Sequence, residues 1–172
     1  MSRLDTIAPR RWQRAGWVIT TDAGLIDAAA VQRHLADGKQ SPDIPLSVVE
    51  AFIANSVNFG MFDSAPEDGA RMVGYARVVT DFAAFAYIGD LFLIDDDHRG
   101  QGRGTWLMEC VLEHPDLQEL RRWTLMCGPR PVDWYKRFGF VEPERPGFAL
   151  HRTDRTIYRR AAGSIDGDAD EG

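Results

Sequence analysis

The stretch Leu91-Phe92-Leu93-Ile94-Asp95-Asp96-Asp97-His98-Arg99-Gly100-Gln101-Gly102-Arg103-Gly104-Thr105 decides the fold. Its first four residues form an apolar run of strand length. An acidic loop follows, and then three glycines at alternate positions. From Thr105 to Glu113 the apolar residues Trp106, Leu107, Cys110 and Val111 recur at helical spacing. Strand, glycine loop and helix together make a backbone anion site. Glycines allow close approach, and the free N–H groups at a helix start point at an anion that the helix dipole also favours.

Working outward, Trp123 to Cys127 reads as a strand reached through that helix, so the connection predicts it parallel to the strand ending at Ile94. Gly128-Pro129-Arg130-Pro131 breaks the chain, and Val132 to Phe138 reads as a short helix closed by Gly139. Phe140-Val141 and Phe148 to Arg152 are the last strand candidates. Before the glycine loop, Val57 to Phe62, Arg71 to Thr80 and Ala83 to Ile94 read as strands joined by turns, an antiparallel meander. Further back, Trp17 to Thr20 reads as the first strand. Leu25 to Ala36 reads as a helix capped by Asp22, and Leu46 to Asn55 as a second helix opened by Pro45. The arginine-rich Met1 to Gly16 is expected as an extension, residues 17–160 as one domain and residues 161–172 as an acidic, disordered tail.

Composition narrows the function. With 172 residues, 44% of them hydrophobic and 27% charged, the chain has the make-up of a globular protein large enough for a full core. A net charge of −6 argues against a general nucleic-acid binder, whose surface would be basic. No apolar run is long enough to span a bilayer, and Met1 to Gly16 lacks the apolar region of a secretory leader. Cys110 and Cys127 read as small core residues in a reducing cytosol, so a cytoplasmic location is expected. The acidic run Asp95 to Asp97 reads as a solvated loop, and no metal is expected. A P-loop is excluded because no lysine precedes Thr105. Gly100, Gly102 and Gly104 also miss the spacing of a dinucleotide fingerprint.

The element order β-α-α-β-β-β-α-β-α-β-β, with the glycine loop after the fourth strand, resembles the GNAT superfamily of acyl-CoA N-acyltransferases. Arg99-Gly100-Gln101-Gly102-Arg103-Gly104 fits that family's cofactor pattern, Gly74 to Val79 looks like its third strand, and Trp134 to Phe140 looks like its tyrosine helix ending in Gly-Phe. Within the family, the run from Val73 to Phe140 resembles small bacterial members of unassigned substrate. The resemblance implies an α/β GNAT fold: a mixed, mostly antiparallel sheet of about seven strands with a splayed parallel pair at the fourth and fifth, and about four helices.

It further implies an acetyl-CoA-dependent N-acetyltransferase acting by direct transfer in a ternary complex. The acceptor would be a primary amine of a small molecule or peptide. Gln101 to Thr105 would supply pyrophosphate donors, with charge from Arg99 and Arg103, and Phe92, Leu93 and Ile94 would flank the pantetheine arm. Tyr135 matches the general acid, and its place after a proline-rich break and before Gly-Phe favours that role over an aromatic that packs the short helix on the core. Asp90 is a candidate base or a carboxylate at the sheet edge. The acceptor pocket would draw on Lys39 to Asp43 and Pro143 to Gly147. Relatives commonly dimerise through their C-terminal strands, so a homodimer is among the implied partners, with no nucleic acid and no membrane. The chain departs from the family pattern twice: it has one more residue between Asp90 and Arg99, and Gly128 to Pro131 where Asn and Ala are usual. A CoA-binding module without transferase activity is the alternative of a different class.

Overall fold

The computed structural model describes residues 3–38, 41–143 and 158. The described residues form one sheet of six strands in the order β1-β2-β3-β4-β5-β6. These are β1 (Arg11–Arg14), β2 (Trp17–Thr20), β3 (Val57–Phe62), β4 (Met72–Thr80), β5 (Phe85–Leu93) and β6 (Arg122–Leu125). All neighbours are antiparallel except β5 and β6, which are parallel, as the helical crossover between them requires. The helices are α1 (Ala28–Asp37), α2 (Leu46–Ala54), α3 (Arg103–Leu112) and α4 (Val132–Lys136). No helix of the described residues is long and apolar enough to cross a membrane.

The α/β fold and the meander match expectation, with corrections at the ends. Trp17–Thr20 is the second strand, because Arg11–Arg14 pairs with it across a turn at Ala15 (φ 49°) and Gly16 (φ 85°). The parallel pair is therefore fifth and sixth in the sheet. Phe140-Val141 is not a strand, and Phe148 to Arg152 lies outside the described residues, as do residues 161–172. The first long helix starts at Ala28, where Asp27 accepts a hydrogen bond from the Ala30 N–H at 2.8 Å. Asp22 caps only the 3-10 turn Ala23–Leu25 before it. The expected core cysteines also divide: Cys110 is buried and Cys127 is exposed.

Each sheet face carries its own apolar cluster. On one face Ile19, Phe59, Val78 and Ile88 pack with Trp106, Leu107 and Val111 of α3. On the other, Val18, Phe62 and Tyr75 pack with Val31 and Leu35 of α1 and Val49 and Ile53 of α2, with Tyr158 against them. One buried polar group locks the second layer. The Asn58 amide donates to the carbonyls of Ile53 (2.8 Å) and Ser56 (2.9 Å), closing the end of α2 onto β3. Its Oδ1 accepts from the Tyr75 hydroxyl at 2.6 Å. Truncation at Asn58 takes the partner from the buried Tyr75 hydroxyl and from the Ser56 carbonyl, each costing about 1–3 kcal/mol, while the Ile53 carbonyl keeps the Asn55 and Ser56 N–H groups. We therefore expect Asn58→Ala to lower the thermal unfolding midpoint by roughly 10 °C or more, and Tyr75→Phe by a smaller amount. Calorimetric melting of the two variants checks the order, and equal midpoints would remove Asn58 as the lock.

Candidate active site

The parallel ladder between β5 and β6 runs from Phe85 opposite Arg122 to Ile88 opposite Leu125 and stops there. β5 continues through Gly89 to Leu93, while the chain after β6 turns away through Met126 to Pro131. A cleft of about 1080 Å³ opens between them. Ile88 to Leu93 form one wall, Met126 to Pro131 with Trp134 and Tyr135 form the other, and His34, Leu35 and Gly38 border it from α1. A second cavity of about 830 Å³ shares His34, Gly38 and Arg99 with the cleft.

At the far end of β5 the chain makes a 3-10 turn at Asp96–His98 and enters the glycine loop. Gly102 is the N-cap of α3 with φ 77°, a left-handed conformation that costs any other residue strain. The helix ladder begins with the Trp106 N–H bonded to the Gly102 carbonyl at 3.0 Å. The N–H groups of Arg103, Gly104 and Thr105 precede it and lie outside the helix ladder, the arrangement that an anion can bind. Of the two loop arginines, Arg99 borders the cleft. Arg103 packs its guanidinium 3.7 Å from the centre of the Trp17 ring, and its Nη1 donates to Gln101 Oε1 at 2.5 Å. His98 lies edge-on to the same ring. Asp95 of the acidic run is paired with Arg71 at 2.7 Å.

Tyr135 and Asp90 border the same cleft on opposite walls. Trp134 ties Tyr135's helix to the first turn of α3, because its Nε1 donates to Thr105 Oγ1 at 3.3 Å. Burial pushes the Tyr135 phenol above the ordinary tyrosine range, and nearby Cys127 adds to the effect. Its hydroxyl therefore keeps its proton at neutral pH. On the opposite wall the Arg77 Nε donates to Asp90 Oδ2 at 2.6 Å, and both side chains are largely buried. Phe92 stacks on His34 with ring centres 3.9 Å apart and planes at 9°. Cys110, deep in the α3 layer, has its thiol pushed up to about 12 by burial and takes no part in the cleft.

Arg77, Gly89 and His34 are the residues the motif reading passed over. A signal for the first was present: Arg77 and Asp90 are lone charges in otherwise apolar strands of one hairpin. For His34, on a helix distant in sequence, there was none. Of the expected acceptor residues, Lys39, Gln40 and Glu144 to Gly147 lie outside the described residues.

The architecture agrees with known proteins. A family model described as an acetyltransferase (GNAT) domain matches residues 65–142, the part that holds β4, β5, the glycine loop, α3, β6 and α4. A crystal structure from Xanthomonas campestris pv. campestris, assigned to the GNAT family, is 37% identical, with 85% of this chain and 99% of that one covered and a TM-score of 0.75. Histone acetyltransferase TAP1 of Glycine max is 29% identical over 135 residues, 74% of this chain and 58% of that protein. The ycf52 protein of Gracilaria tenuistipitata var. liui, an uncharacterised N-acetyltransferase, is 30% identical over 97 residues, 56% of this chain and 53% of that protein. The chain thus spans little more than half the length of each of these two curated relatives. It belongs to the GNAT family of acetyltransferases and is an N-acetyltransferase by class.

Gly102 offers a direct test of the anion loop. No atom lies within 4 Å of where its Cβ would stand, so a side chain acts through the backbone angle alone. Gly102→Val should weaken acetyl-CoA binding about tenfold, the equivalent of ~1.4 kcal/mol of strain. Titration calorimetry measures it, and wild-type affinity in the variant would remove the loop from donor binding.

Proposed function

We propose that the protein moves an acetyl group from acetyl-CoA to a primary amine of a small molecule or peptide, by direct attack in a ternary complex. The observation that carries this reading is the joining of three features in one cleft. β5 runs on past its partner, Arg99 stands where that strand gives way to the anion loop, and a protonated Tyr135 faces the strand from the other wall. An acyl-CoA donor needs all three. Its pyrophosphate oxygens accept hydrogen bonds from the N–H groups of Gly100, Gln101, Gly102, Arg103, Gly104 and Thr105, with charge from Arg99. Its pantetheine amides pair with the open edge of β5 along Phe92, Leu93 and Ile94, as an added strand would, apart from the Ile94 N–H, which donates to the Val73 carbonyl at 2.9 Å.

The amine nitrogen attacks the thioester carbon, and a backbone N–H of the same strand bonds the oxygen as it gains charge. The carbon–sulfur bond breaks, and the Tyr135 hydroxyl donates its proton to the departing thiolate. An alkyl amine near pKa 10 must first lose a proton, and Asp90 takes it, directly or through water. Oδ2 is engaged by Arg77, which leaves Oδ1 for that task. The products are an amide and free CoA. A reducing, cytosolic setting belongs to the same reading, since Cys110 and Cys127 are both free thiols.

Incubating the protein with acetyl-CoA and a panel of primary amines, and following free thiol release, tests the transfer. Binding of acetyl-CoA without turnover on any amine would favour a binding module instead. For Tyr135→Phe we expect kcat to fall about a hundredfold with acetyl-CoA affinity unchanged. The pH profile carries a second expectation. Because burial raises the phenol, the active protonated form persists below its folded pKa and is lost only above the ordinary tyrosine value near 10. A tyrosine-dependent loss of kcat between pH 7 and pH 9 would contradict the assignment.

A further inference from the structure

We propose that Arg77 is a positioning residue for acyl transfer: its guanidinium fills the notch at Gly89 and holds the β5 bulge and the Asp90 carboxylate in one geometry. This rests on the transferase reading above and goes beyond it by naming a residue that neither the glycine motif nor the tyrosine helix includes.

The register shows the bulge. Arg77 lies opposite Asp90 and Val78 lies opposite Ile88, so Gly89 is the extra residue in β5. Its consequence is a change of face. Ala86, Ile88, Leu91 and Leu93 all belong to the α3 layer, although Ile88 and Leu91 are an odd number of positions apart. Strict alternation would carry Asp90 onto the face of Ile88, a charge among the side chains that pack on α3. The bulge turns it to the opposite face, where Phe92 and Ile94 pack with the α1–α2 layer. It falls where the β5–β6 ladder ends, so the same residue marks the mouth of the cleft and the change of face.

Arg77 is what occupies the space the bulge creates. A Cβ at Gly89 would stand 2.6 Å from Arg77 Nη2 and 2.9 Å from its Cζ, so the guanidinium sits where a side chain would be. From there Nε reaches Asp90 Oδ2 at 2.6 Å, and Cζ lies 4.2 Å from the centre of the Phe52 ring on α2. The guanidinium is thus held between α2 and the bulge, with the Arg77 side chain 17% exposed and that of Asp90 11% exposed. Lysine has a compact head without the planar fork and cannot both cover Gly89 and hold Asp90. Geometry of this kind matters because a misplacement of about 1 Å in a reacting group can cost on the order of a hundredfold in rate.

The test is a set of variants of the full chain, measured for kcat, acetyl-CoA affinity and melting midpoint. Arg77→Met keeps an apolar stem against Phe52 and should lower kcat about 30-fold or more, with acetyl-CoA affinity within about threefold of wild type. Arg77→Lys should recover only part of the rate. If Arg77 acts through Asp90, then Arg77→Met combined with Asp90→Asn should be no slower than the slower single variant. Gly89→Ala pushes the guanidinium from its seat. It should therefore slow the wild-type background and add little to Arg77→Met. A kcat for Arg77→Met within twofold of wild type, or losses that multiply in the double variant, would overturn the proposal. So would a crystal structure of Arg77→Met that keeps the bulge and Asp90 in place, whatever the turnover. Should Arg77→Met fail to fold, Arg77→Lys and Gly89→Ala decide by the same criteria. Wild-type protein that binds acetyl-CoA and turns over no amine would instead refute the transferase reading, and the crystal structure would still judge the Arg77 geometry.

Discussion

Everything at the site depends on a parallel strand pair that is allowed to stop early. β5 and β6 are bonded through Ile88 and Leu125, and then β5 runs on alone along one edge. Main-chain donors and acceptors without a strand partner are costly when buried and are a template for pairing when open. Here they line a cleft that a linear, amide-bearing ligand can enter as a surrogate strand. The helix between the two strands starts at the end of the longer one, so the glycine-capped N-terminus of α3 and the open strand edge come from one crossover.

The two apolar layers hold that opening in place from opposite sides. Trp106, Leu107 and Val111 fix α3 against the sheet, while α1 and α2 cover the other face and bring His34 to the cleft. Because β5 belongs to both layers, its side chains must divide correctly between them. The Gly89 bulge makes the division, and the Arg77–Asp90 pair fills the gap. An ion pair this enclosed is not in itself a source of stability, because desolvation offsets much of the attraction. Its place at the cleft wall fits a demand for geometry rather than for folding energy.

Much of the fold was legible because local rules and tertiary packing agreed. Val57–Phe62 and the long strands after it are apolar and bounded by turn residues, and the glycine loop followed by an amphipathic helix admits few structures. The misses have physical causes. Arg11–Arg14 carries two arginines and a glutamine around a single apolar residue, Trp12, so no apolar alternation announces it, and Ala15-Gly16 is not a favoured hairpin turn pair. Leu25 to Ile26 carries helical spacing, but Asp27 is the better cap and the long helix begins after it.

What the sequence by itself determined is the glycine loop at the start of a helix and the short tyrosine helix. Both are local: positive-φ glycines, the start of a helix and a short helix after a proline-rich break need no distant partner to be recognised. What only the tertiary structure decided is how those parts face one another. Arg99 and Arg103 look alike in the sequence, yet one borders the cleft and the other lies on Trp17. Asp90's partner depends on one extra residue in a strand register, and His34 reaches Phe92 from a helix far away in the chain. Register and packing are relations between segments, and no single segment contains them.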